Sequence, residues 1–82
     1  MTERWLLEVE PEVREWLEDL PVRHYRVVER HADRLADAPT TLGEPYSRHL
    51  DGAVHELRFT LDTNAVRITY WLAPGRRIVL QP

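Results

Sequence analysis

The sequence predicts an α+β fold with the element order β-α-α-β-β-β, an antiparallel meander carrying a helical hairpin on one face. Three observations carry that expectation. Residues 54–80 hold three short stretches that alternate apolar and polar side chains, separated by turn-forming residues. Residues 11–37 hold two stretches of helical period, split at Pro21. One further alternating stretch, "RWLLEV", precedes them.

Taken in order, "RWLLEV" at 4–9 sets Trp5, Leu7 and Val9 against Leu6 and Glu8, the period of a strand. Pro11 suits the first turn of a helix, where a missing N–H costs nothing. Val13, Trp16, Leu17 and Leu20 then recur at i, i+3, i+4 and i+7, one apolar face, and Pro21 ends the run. A second helix is expected from Arg23 to Asp37, with Tyr25, Val28, Ala32 and Leu35 as its stripe and Glu29 and Asp33 as i,i+4 partners for arginine. Residues 38–52, "APTTLGEPYSRHLDG", hold two glycines and two prolines without a period and read as a loop. A loop of that length in a small domain is often functional. Strands are expected at Val54–Leu61, Ala65–Leu72 and Arg77–Leu80, with "DTNA" and "APGR" as the turns.

The alternation assigns faces. His55, Leu57, Phe59 and Leu61 share one side of their strand, and Val54, Glu56, Arg58 and Thr60 the other. On the next strand Val66, Ile68, Tyr70 and Leu72 oppose Arg67, Thr69 and Trp71. Both apolar sets must meet the helices, because a one-residue slip would bury Arg58 or Arg67. With the turn centred near Thr63–Asn64, Arg58 lies opposite Thr69 and Thr60 opposite Arg67. The two arginines are then diagonal neighbours on the helix-free face. Spacing alone leaves two readings open, a solvated face with Glu56 pairing an arginine, or a rigid two-guanidinium clamp for phosphate.

Bulk properties narrow the classes. A chain of 82 residues makes one domain, and one this small buries only about 60–65% of its unfolded surface. It has no cysteine, hence no disulfide and no thiolate metal site. The four histidines lack the spacing and the acid partners of a metal centre, so neither a metal nor another cofactor is expected. No apolar run approaches the ~18 residues of a membrane span and no basic-then-apolar leader opens the chain, so a cytoplasmic location without membrane contact is expected. All 11 basic residues are arginine, against 14 acids, for a net charge of −3. Residues 1–38 carry −4 and residues 39–82 carry +1, so an RNA partner must be argued from placement and not from bulk charge.

One stretch carries more. "LGEPYSRHLDGAVHELRF", residues 42–59, has Leu42-Gly43, Pro45-Tyr46, His49-Leu50, Gly52 and Glu56-Leu57-Arg58 in an order that resembles the RelE/HigB superfamily of type II toxins, in its phage-derived HigB-like branch. "VRITYWL" is similar to that family's next strand and "EVREWLEDLP" to its first helix, so the likeness runs from about Val9 to Leu80. The resemblance implies a RelE-like fold and an mRNA endoribonuclease that acts on ribosome-bound mRNA. It also implies neutralisation by a cognate antitoxin, with operator DNA touched only through that antitoxin. It carries catalytic roles onto Arg58 and Arg67, which would stabilise charge on the scissile phosphate. Around them, Glu56 is expected to position the arginines, Trp71 to stack on a base, and His55 to reach the RNA only around the strand's rim. His49 is expected to be structural and Tyr70 to lie in the core. The family usually continues past the last strand with a phenylalanine and paired basic residues. This sequence ends at "RRIVLQP", so the expectation is a single domain over 1–82 without the basic C-terminal segment and with an incomplete site. Two alternatives share the fold, a ParE-like toxin that inhibits gyrase by binding, and a non-toxic remnant that only binds an antitoxin.

Overall fold

A computed structural model describes residues 4–82. The elements are β1 (Leu6–Val9), α1 (Pro11–Glu18), α2 (Val22–Asp37), β2 (Ser47–Asp51), β3 (Val54–Leu61), β4 (Asn64–Ala73) and β5 (Arg77–Gln81). The five strands form one sheet in the order β1-β5-β4-β3-β2. β1 runs parallel to β5, and the other neighbours are antiparallel. The expected α+β architecture is therefore present, with one strand more than predicted.

That strand, β2, lies inside the stretch expected to be a loop. Its residues alternate no apolar face, and only Ser47 is buried. It forms because an edge strand needs backbone partners on one side only, and β3 supplies them, pairing Ser47 with Leu57 and His49 with His55. The register shifts between His49 and Asp51, and Gly52 follows at φ 52°, a conformation with no steric penalty for glycine.

α1 starts at Pro11 and buries Val13, while Trp16, Leu17 and Leu20 pack against the core. Pro21, which lacks the N–H of a continuing helix, is the N-cap of α2. The buried face of α2 keeps Val28 and Leu35 of the expected stripe, with Ala32 half-buried, but not Tyr25. Tyr25 is 43% exposed, whereas Val28, Leu35 and Ala36 are buried. The inward seam is His24, Val28, His31 and Leu35, and the two histidines stand where aliphatic residues would normally mark it. An imidazole ring has apolar faces, so it packs in a seam that a hydrophobicity pattern does not reveal.

The core lies between the helices and the sheet. Leu35, Leu57, Tyr70 and Ile78 are its largest fully enclosed side chains, each of the aliphatic ones contributing about 1.5–3 kcal/mol by burial. Trp5, Leu7 and Val9 of the first stretch pack against it as the alternation predicts. Backbone bonds from Trp5 N–H to the Ala36 carbonyl (3.1 Å) and from Glu10 N–H to the Leu80 carbonyl (3.0 Å) tie that stretch to α2 and β5. The hairpin register departs by two residues from the expected one. Leu61 pairs with Asn64 around a two-residue turn, Asp62–Thr63, so Arg58 lies directly opposite Arg67, and Thr60 opposite Ala65. Asp62 takes φ 55°, the left-handed region that aspartate tolerates better than most residues, and this lets the turn close tightly. The side-chain faces survive the shift because it is even.

Candidate functional site

The helix-free face of β3 and β4 brings Glu56, Arg58 and Arg67 together. Two guanidiniums at directly paired positions on adjacent strands repel each other, a destabilising arrangement on an antiparallel sheet. One carboxylate bridges them. Glu56 Oε1 lies 3.7 Å from Arg58 Nε and 3.9 Å from Arg67 Nε. Both distances exceed a hydrogen bond, and partly exposed pairs of this kind contribute about 0–1 kcal/mol. One negative charge between two positive ones leaves a net positive charge. The side chain of Glu56 is 17% exposed, that of Arg58 33%, and that of Arg67 62%, so Arg67 reaches furthest into solvent.

The hairpin that carries this pair is tied to α2 at its tip. Asp62 at its tip accepts a hydrogen bond from His24 Nε2 on α2 at 3.0 Å and lies 3.6 Å from the Arg23 guanidinium. On the far side of β3, the backbone N–H of Arg58 donates to the Tyr46 carbonyl at 2.8 Å, extending the β2–β3 ladder by one residue. Tyr46, Arg58 and Arg67 thus stand in one row across three chain segments. A groove of about 410 Å³ runs along this row, lined by His31, Pro45, Tyr46, Phe59 and both arginines among others. A second, of about 420 Å³, lies on the other side of Arg67 against Glu12, Val13 and Trp16 of α1.

Sequence reasoning did not find the aromatic members of the first groove. His31 stacks on Phe59 with ring centroids 4.7 Å apart and planes 14° apart, and lies 6.2 Å from the Tyr46 ring. The Arg34 guanidinium sits 4.0 Å over the centre of that tyrosine ring. His31 Nδ1 is enclosed without a hydrogen-bond partner among the described residues. Burial, reinforced by Arg34 and Arg30, lowers the His31 pKa and favours the neutral ring. The available signal was the heptad spacing of His24 and His31 in phase with Val28 and Leu35.

The remaining predicted site residues lie apart from the arginines. Trp71 shares their face but sits four residues along β4 from Arg67, about 13 Å, in a row with Val54 and Val79. His55 lies on the helix-covered side, stacked on Tyr70 with centroids 5.3 Å apart and 5.0 Å from the His49 ring. Burial, with His49 adding to it, lowers its pKa. His49 Nε2 bonds the Gly52 carbonyl at 2.7 Å across the bend after β2. Tyr70 is buried, as the alternation predicts, and its hydroxyl bonds that of Ser47. Burial raises the Tyr70 pKa. Among the described residues no group of three or more potential ligands is placed to hold a metal, and no helix is long and apolar enough to cross a membrane.

A model of the family described as "Phage derived protein Gp49-like (DUF891)" matches residues 15–81. No curated protein matches the sequence. Among solved structures, a doubly substituted mutant of the E. coli toxin RelE in the free state is similar, with a TM-score of 0.69 at 11% identity, covering 94% of this chain and 78% of that one. At that identity the likeness concerns the fold, and the fold is RelE-like.

Proposed function

The chain belongs to the phage-derived Gp49-like family, and from that premise we propose that it is the toxin of a toxin–antitoxin pair that cleaves messenger RNA on the ribosome. The observation that carries this reading is the arginine pair. Arg58 and Arg67 are directly opposed on the open sheet face with one carboxylate between them. Two guanidiniums held side by side with one carboxylate between them favour an anion, and a phosphate offers each guanidinium two oxygens. In the proposed reaction the 2′-hydroxyl attacks the adjacent phosphorus, the 5′-oxygen leaves, and the arginines stabilise the charge that builds on the phosphoryl oxygens. Glu56 holds both guanidiniums until phosphate displaces it. Arginine stays charged, so protons move through another group. The RelE-like fold and the exposed apolar residues Leu6, Val22 and Leu50 support an antitoxin partner that covers them when the toxin is silent.

The test is primer extension on ribosome-bound mRNA. Arg67→Ala is expected to lower cleavage by about 10²–10³-fold, the usual loss on removing one preorganised electrostatic donor. Its circular dichroism should stay unchanged, since exposed substitutions cost within about 0.5 kcal/mol. Arg67→Lys should restore part of the rate, because a point charge cannot make the two-pronged contact. Full cleavage by a folded Arg67→Ala protein would remove the arginine pair from the reaction. Gyrase inhibition without any cleavage would move the chain to the ParE-like alternative.

A further inference from the structure

The edge strand β2 is held by little. Its one neighbour is β3, only Ser47 of its five residues is buried, Leu50 is exposed, and the ladder slips between His49 and Asp51. Elements with so few apolar anchors open locally before the rest of a fold does. In the middle of this short ladder two imidazoles meet. His49 and His55 occupy directly paired positions, with ring centroids 5.0 Å apart and planes 60° apart. His49 Nε2–H donates to the Gly52 carbonyl at 2.7 Å, a bond that survives protonation because the second proton enters at Nδ1. His55 is stacked on Tyr70, its partner on β4, whose hydroxyl is engaged by Ser47. Beyond Tyr70 the row continues into Leu80 of β5. Arg48 pairs with Glu56, and Asp51 with Val54, on the opposite face of the sheet. Among the described residues no carboxylate pairs with either ring, whereas His24 has Asp62.

We propose that the His49–His55 pair is a proton-operated latch on β2: with both rings neutral the edge strand stays on β3, and with both protonated it separates from β3 while the β3–β4–β5 sheet remains intact. The inference is independent of the RNA reading above. Like charges at directly opposed positions destabilise an antiparallel pair. Burial disfavours a proton on His55, and His49 is the one charged or titratable group that adds to the effect, with none contributed by either helix. The Tyr70 ring offers an imidazolium a π-face, an attraction that a single charge gains and that leaves the repulsion between two charges unrelieved. Separation relieves both costs at once, because it moves His49 away and lets water reach His55. Little apolar area resists it, since β2 buries only Ser47. The opening reaches the arginine row through the backbone, because the Arg58 N–H loses the Tyr46 carbonyl, 2.8 Å away in the closed form. Arg58 itself stays in place, paired with Arg67 on β4.

The experiment is amide hydrogen exchange by NMR on the full chain between pH 7.5 and 5.0, expressed as protection factors, with the imidazole resonances followed in the same samples. Protection of the Arg58 amide should fall by about 5-fold or more on acidification, since like charges at one paired position account for up to about 5-fold and desolvation of His55 adds to that. Amides of the β4–β5 ladder should lose less, and the fall at Arg58 should follow the titration of His55. His55→Phe, which keeps a ring on Tyr70 and cannot take a proton, should abolish the differential fall. His49→Gln, which keeps a donor for the Gly52 carbonyl, should remove at least half of it. His31→Phe, distant from the pair, should leave it unchanged. Should His55→Phe fail to fold, His49→Gln at its exposed position decides alone. Equal loss of protection in the β4–β5 ladder, an undiminished fall in His49→Gln or His55→Phe, or titration of both rings with Arg58 still protected would overturn the latch.

Discussion

At the scale of single residues, the buried polar groups are where this small domain is most exposed to substitution. Ser47 is 3% exposed, and its hydroxyl bonds the Tyr70 hydroxyl, the two satisfying each other inside the core. Ser47→Ala removes one partner only and strands a buried phenol, which costs about 1–3 kcal/mol. The urea midpoint should fall accordingly, and Tyr70→Phe added to Ser47→Ala should cost less than the sum of the two single changes. The histidines govern the acid limb. His31 and His55 have pKa values lowered by burial, so the unfolded chain takes up protons before the folded one as pH falls. Their contribution is complete above the unfolded value of about 6.5 and is lost as pH drops through the lower folded values. Stability should therefore be lower at pH 5.5 than at pH 7.5. His31→Phe, which keeps a ring on Phe59, should flatten that difference, and an unchanged slope would take His31 out of the account.

At the scale of elements, α2 and the β3–β4 hairpin show why side-chain periodicity is a partial guide. Val54–Leu61 has the bounds that the alternation predicts, because a half-buried strand must place every second residue inward. The bounds of α2 agree to within one residue and Val28 and Leu35 are buried as expected, but His31 joins them where Tyr25 does not, because histidine counts as polar in a pattern and packs as a ring in a core. That exchange makes a test. Leu35→Ala should cost about 2–5 kcal/mol by opening a cavity under β3, while Tyr25→Ala, on the exposed side, should stay within about 0.5 kcal/mol. Denaturant midpoints measured side by side check this, and equal losses would restore the original stripe.

The whole molecule combines an acidic body with a small positive site. A net charge of −3 disfavours broad adhesion to nucleic acid, so the proposed RNA binding rests on local contacts. Each phosphate held on a single strand contributes about −0.7 to the slope of log affinity against log salt. With both arginines on one phosphate the expected slope is about −0.7, and it becomes shallower in Arg67→Ala. Titrations of single-stranded RNA at several salt concentrations measure it. A steep slope insensitive to Arg67 would place the binding surface elsewhere.

What the sequence determined by itself follows from short-range rules. Period-2 and period-3.6 patterns, Pro11 and Pro21 at helix starts and the turn residues after Leu61 and Ala73 specify five of the seven elements closely and a sixth, β1, as an alternating stretch. They also specify that Arg58 and Arg67 face away from the helices. Three features needed the tertiary structure. β1 lies beside β5, its residues pairing with partners 71 positions on, in a parallel pairing that no local pattern encodes. β2 exists because β3 offers it a backbone edge, and its side chains carry no trace of that. The direct opposition of the arginines, and the His31, Phe59 and Tyr46 rings beside them, depend on a two-residue turn and on helix–sheet packing. Chain entropy makes local choices cheap to read and distant contacts dear to form, so the residue types were legible while their meeting point was set by closure of the sheet.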